Sequence, residues 1–211
     1  MEFRLLYEGE LLPSAGSNKR ASEKHAIRKI FHPQLRRLWT VQANLRELAT
    51  RRSGEDPRPI NEHLQPITEQ EQFDFGIRAT GMKWSRAGYQ FVPLVTADMA
   101  LRCSLDVLLL RPEEDRFIFN AGDIDGQVKT LFDSLRMPKD LNETGGVGPE
   151  GDETPFFCLL EDDRLITEVN VTTDKLLLLP TQRDVKANDA LVVIHVKLNH
   201  KNARTFDNWF G

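Results

Sequence analysis

The chain is poor in residues that would staple it or anchor it in a bilayer. Only two cysteines, Cys103 and Cys158, occur among 211 residues. Neither a disulfide framework nor a cysteine-only zinc site is available to it. Both lie in apolar, strand-like runs, which predicts buried, reduced thiols of a cytosolic protein. No apolar run approaches the ~20 residues that span a bilayer. The opening MEFRLLYEGE carries Glu2 and no apolar h-region, so no secretory signal is expected. There is no internal repeat. The five histidines, at 25, 32, 63, 195 and 200, show no ligand spacing such as HExxH and read as surface or core residues. A positive balance is also missing: the net charge is −4, the wrong sign for a simple nucleic-acid binder.

That charge is unevenly spread. Residues 1 to 52 hold eleven Lys/Arg against five Asp/Glu, a net of +6, and the other 159 hold seventeen against twenty-seven, a net of −10. Such asymmetry is either a polyanion-binding arm or a charged, solvated helix pair. Lys19, Arg20, Arg36, Arg37, Arg51 and Arg52 are the candidate contacts in the first case.

With 40% hydrophobic residues, the chain can build one good core. FRLLYEG (3 to 9) reads as a strand. Ser22 is placed to cap a helix over SEKHAIRKIF, and Pro33 to start a second one. Residues 53 to 72 are Pro-rich and polar, as in a linker. FDFGIRATGMKW and YQFVPLVTADM flank SRAG, which suggests a hairpin. ALRCSLDVLLLR reads as a central strand, FFCLL as a short apolar one, and LITEVNVTTDKLLLL and ALVVIHVKLNH as the last two strands. The fold class is α/β (α+β): a single mixed sheet flanked by helices in one domain. Residues 1–72 would be a basic N-terminal extension and linker, and 100–199 the core.

The chemistry concentrates in NAGDIDGQVKTLFDSLRMP, residues 120 to 138. A helix over 124 to 136 gathers Ile124, Val128, Leu131, Phe132 and Leu135 into an apolar stripe. Asp125, Lys129 and Asp133 then share another face. They form either a ladder of ion pairs worth ~0.3–0.5 kcal/mol each, with Asp123 as the cap, or part of a metal site. A Mg²⁺ site needs two or three carboxylates from different elements. EDDR, Glu161 to Arg164, supplies a second acidic cluster at a strand boundary.

GDIDGQVKTLFDSLR resembles the DLDN-xxx-K-xxx-DAL signature of the RusA-type Holliday-junction resolvases. LLEDDRLITEV resembles their second motif, and LRCSLDVLLLR stands where their strand leads into the first. The resemblance covers roughly residues 100 to 199. It implies a RusA-like fold and a homodimer that nicks four-way DNA junctions with Mg²⁺ or Mn²⁺ in recombination and repair. It gives Asp123, Asp125 and Asp163 as metal ligands, with Asp162 beside them, and Lys129 as the catalytic cation. Asp133 matches the more structural aspartate of the DAL segment. Gly126 stands where the family has asparagine, and the loop 139 to 155 is longer than in the family. The expected protein is a cytoplasmic, metal-dependent, structure-selective endonuclease; the alternative is a RusA-like DNA-binding module that does not cut.

Overall fold

The computed structural model describes residues 1–15, 19–52, 66–99, 101–112, 124–181 and 184–200. Its elements are β1 (Glu2–Glu10), α1 (Ala21–Val41), α2 (Ala43–Arg51), α3 (Glu69–Lys83), β2 (Ser85–Arg86), β3 (Tyr89–Val95), β4 (Leu101–Arg111), α4 (Ile124–Leu135), β5 (Phe156–Leu160), β6 (Ile166–Lys175) and β7 (Asp189–His200). Short 3-10 turns lie at Ala97–Met99, Leu141–Thr144 and Asp163–Leu165.

The class is α+β, but the strands form two sheets rather than the expected one. The larger has the order β1-β7-β4-β6 and the smaller β2-β3-β5. In the larger, β7 runs antiparallel to β1 and β4, whereas β6 runs parallel to β4. On β4, Leu101, Cys103, Leu105, Val107 and Leu109 alternate into the core, as period-2 patterning dictates. The pair β3 and β5 is parallel and almost wholly buried, the usual fate of parallel strands covered on both faces. Cys103 and Cys158 are buried free thiols; burial pushes Cys103 up to about 12. No helix among the described residues is long and apolar enough to cross a membrane.

Residues 1 to 52 are not an appendage. β1 is a strand of the larger sheet. Ile27, Phe31, Leu35, Trp39, Leu45 and Ala49 belong to the same core cluster as β4 and β7. Helix α1 also continues through Pro33, where a helix boundary was expected. The proline ring removes one backbone bond at an exposed position, while Phe31, Leu35, Leu38 and Trp39 bury the face on either side of it. That burial outweighs the lost bond.

The segment before SRAG is a helix, not a strand. Thr68 and Glu71 form a reciprocal capping box at the start of α3. The hairpin is reduced to Ser85–Arg86 against Tyr89–Gln90. Gly76 lets α3 press onto α2: a Cβ there would stand 1.7 Å from the Ala49 carbonyl oxygen.

A polar network is buried where α1, α4 and the loop 139–155 meet. Arg28 is 2% exposed. Its Nε donates to the Arg136 carbonyl at 2.9 Å and its Nη2 to the Asp133 carbonyl at 2.7 Å. Its Nη1 donates to His25 Nδ1 at 3.2 Å. The other imidazole nitrogen therefore carries the proton and donates to Tyr89 Oη at 3.0 Å. Tyr89 in turn donates to the Val147 carbonyl at 3.3 Å.

Burial, then the Arg28 charge, lower the His25 pKa from 6.5 to about 4. The unfolded chain takes up this proton near pH 6.5 and the folded chain only near pH 4. Stability from a neutral His25 is therefore present above about pH 6.5 and is lost as pH falls toward 4. Urea unfolding at pH 7.5 and pH 5 should show a smaller loss in His25→Gln than in the parent. An equal loss in both proteins would contradict this assignment.

Candidate functional site

Helix α4 carries the motif. Its first turn is tied to one end of the larger sheet. Gln127 Nε2 donates to the Leu11 carbonyl at 2.8 Å, Arg111 Nη1 donates to Gln127 Oε1 at 3.2 Å, and the buried Gly126 receives the Ser14 amide at 2.9 Å. Leu11 follows β1, and Arg111 ends β4. Asp125 and Lys129 are exposed near this end. Asp123 lies outside the described residues. Among the described residues, no ion pair joins Asp125 to Lys129.

Asp133 does not extend that ladder. It is 9% exposed and pairs with Lys24 Nζ at 2.5 Å and Arg136 Nη2 at 3.4 Å. The 3.6-residue period correctly put it one turn beyond Lys129, but α1 and Arg136 cover the C-terminal half of the helix. Arg136 also binds Glu143 at 2.8 Å. Burial opposes the charge of Glu143, but the Arg136 hydrogen bond overrides it, so the carboxyl stays below its usual range.

The second acidic cluster sits at the opposite end of the sheet. Asp162 caps the short turn Asp163–Leu165, accepting the Arg164 amide at 3.0 Å. Arg164 holds the Asp162 carboxyl well below the usual range. Asp163 Oδ2 lies 3.9 Å from Arg136 Nε, just past the C-terminus of α4. Asp125 is ten residues back along that helix, ~15 Å at 1.5 Å per residue. Ligands of one Mg²⁺ stand about 2.1 Å from the ion, so Asp125 and Asp163 of a single chain do not fit a shared cation. Among the described residues, no group of three or more His, Cys, Asp or Glu could hold a metal ion.

The six candidate polyanion contacts are scattered. Arg36 binds Asp152 at 3.0 Å and Arg51 pairs with Glu47. Arg37 and Lys19 are exposed, Arg20 is half-buried at the start of α1, and Arg52 lines a cavity. Lys29 binds Glu153 at 2.7 Å. Arg36 and Lys29 of the basic N-terminal region thus face acidic groups of the loop 139–155.

No protein-family model matches the chain, and no curated protein matches it either. The likeness to the resolvases therefore rests on the residues of the two motifs alone.

Sequence reasoning missed the pairing partners Lys24, Arg28 and Glu143. Lys24 and Arg28 contact α4 across more than a hundred residues, and no local spacing could signal that. Asp133→Asn should cost about 1–3 kcal/mol, because it unpairs the half-buried Lys24 and the buried Arg136. Lys129→Ala should cost under about 0.5 kcal/mol, as for an exposed charge. Chemical denaturation of both variants checks this; equal losses would return Asp133 to the solvated face.

Proposed function

We propose that the chain is a metal-dependent, structure-selective DNA endonuclease of RusA type. It acts on branched DNA as a homodimer whose two reaction centres each draw on both copies. The observation that supports this is the unequal treatment of the two sheet edges. On β1, the Gln34 side chain donates to the Leu6 carbonyl at 2.7 Å and accepts the Leu6 amide at 2.9 Å. It occupies the backbone groups of that edge at Leu6. On the other side β6 pairs only with β4 among the described residues, and nearly its whole length is exposed.

A ten-residue edge without proline invites pairing with another chain. A second copy of β6 can add to it only in parallel or antiparallel sense, and two-fold symmetry about an axis normal to the sheet requires antiparallel. With Asn170 opposite its own copy, Val169 of each chain faces Val171 of the other, and Glu168 faces Thr172. Apolar groups meet and like charges do not. Leu177 and Leu178, 80% and 63% exposed just beyond the strand, then approach the partner.

Antiparallel pairing also reverses the ends. The turn before β6 in one copy comes to the sheet end that carries Asp125 and Lys129 in the other. A divalent cation of Mg²⁺ or Mn²⁺ type would be held by Asp123 and Asp125 with the partner copy's Asp163, and would supply charge neutralisation at a phosphodiester. Lys129, exposed and one turn from Asp125, would stabilise the negative charge that grows on the phosphate. The buried reduced thiols accord with a cytoplasmic setting.

Mixing two inactive variants tests this directly. Asp125→Asn and Asp163→Asn should each fail to nick a four-way junction with Mg²⁺. After unfolding and refolding together, half the dimers are mixed, and each mixed dimer has one intact centre. Nicking should return to about a quarter of the parent level. Absence of recovery, with mixed dimers demonstrated, would reject the shared centre. A parent that binds junctions without cutting them would make the protein a binding module.

A further inference from the structure

A second region of the molecule has polar groups left over. A cavity of about 210 Å³ opens between the C-terminal turns of α2 and α3 and the 3-10 turn at Ala97–Met99. Its lining includes Arg52, Thr80, Lys83, Trp84, Thr96 and Asp98. Thr80 is bonded, donating to the Gly76 carbonyl at 2.8 Å. Asp98 is engaged at the rim, where it binds Lys83 at 2.8 Å, and Lys83 also lies over the Trp84 ring at 5.3 Å.

Two of the cavity's groups make no hydrogen bond among the described residues. Arg52 follows the last turn of α2 and is half-buried. A cation is favoured at a helix C-terminus, which accounts for a positive charge there. It does not account for a guanidinium in a cavity with no carboxylate in ion-pair distance among the described residues. Burial lowers the Arg52 pKa, and Asp98 offsets this only in part. Thr96 is 3% exposed, and its hydroxyl makes no hydrogen bond among the described residues. The guanidinium only donates and the hydroxyl can donate, so an acceptor ligand completes both.

We propose that this cavity binds a phosphate group, received by the Arg52 guanidinium and the Thr96 hydroxyl with Lys83 at the rim. A planar, forked donor suits a phosphate well. The volume is roughly that of seven waters, enough for the phosphate and a small substituent. The group comes either from free inorganic phosphate or from the end of a nucleic-acid strand. The latter fits the position of the cavity: the turn that lines it, Ala97–Met99, is held by Glu161, which receives the Ala97 amide at 2.8 Å beside Asp162. The site itself does not depend on the endonuclease reading.

Calorimetric titration of the full chain, in metal-free chloride buffer of fixed ionic strength, tests it. The probes are inorganic phosphate and a short single strand with or without a 5′-phosphate. The parent should show saturable binding of inorganic phosphate or of the 5′-phosphorylated strand, and the unphosphorylated strand should bind more weakly. Stronger binding of the phosphorylated strand than of inorganic phosphate assigns a strand end; the reverse assigns the free ion. Arg52→Gln should weaken binding by at least about tenfold, the scale of a charge-assisted hydrogen bond. Thr96→Val keeps the shape of the buried side chain and should also weaken binding, which covers the case where Arg52→Gln fails to fold. No saturable binding of either phosphate probe, or affinity unchanged in the folded variants, would overturn the proposal.

Discussion

A buried guanidinium organises this molecule. Arg28 lies on α1, fully enclosed, and donates to the Asp133 and Arg136 carbonyls at the end of α4. A helix leaves its last carbonyls without partners, and a desolvated cation must be bonded on all sides. Each requirement meets the other here. The same arginine fixes the tautomer of His25, and through it Tyr89 and the Val147 carbonyl. The loop 139–155, a turn-rich acidic stretch by composition, is thereby bound to the core. Arg136–Glu143 and Lys29–Glu153 complete the attachment.

Holding the end of α4 also sets the direction of the helix. Its start, with Asp125 and Lys129, points to the sheet end where β1 and β4 finish. Its finish points to the turn that carries Asp162 and Asp163. One chain therefore keeps the two halves of the resolvase-like motif pair apart. Which sheet edge is open decides whether a second chain can unite them. Gln34 bonds Leu6 on β1, and β6 pairs only with β4 among the described residues.

Much of the fold is legible in the sequence because its signals are local. The alternation of ALRCSLDVLLLR and the stripe of Leu131 and Leu135 give β4 and α4 at nearly their observed limits. FDFGIRATGMKW misleads because its aromatic residues imitate a strand; the Thr68–Glu71 capping box in front of it was the better signal. Pro33 misleads because packing on both sides of it outweighs one lost backbone bond. The charge asymmetry was real, but composition cannot show that Arg36 and Lys29 are answered by Asp152 and Glu153 more than a hundred residues away. The site is legible only in part. Spacing places Asp125 and Lys129 on one helix, yet it carries no information on which end of the sheet receives Asp163.

The central claim is that β6 pairing, not the single chain, completes the carboxylate set. Val169 is 43% exposed on that edge, so Val169→Lys should leave the monomer folded while its charge opposes association. The decisive measurement is Mn²⁺ binding by equilibrium dialysis, with the association state of each protein followed by sedimentation. The account predicts a dimeric parent that binds Mn²⁺ saturably, and a folded, monomeric Val169→Lys whose affinity is lower by at least about tenfold. A monomeric variant that binds Mn²⁺ as tightly as the parent, or a parent that is itself monomeric, would contradict it.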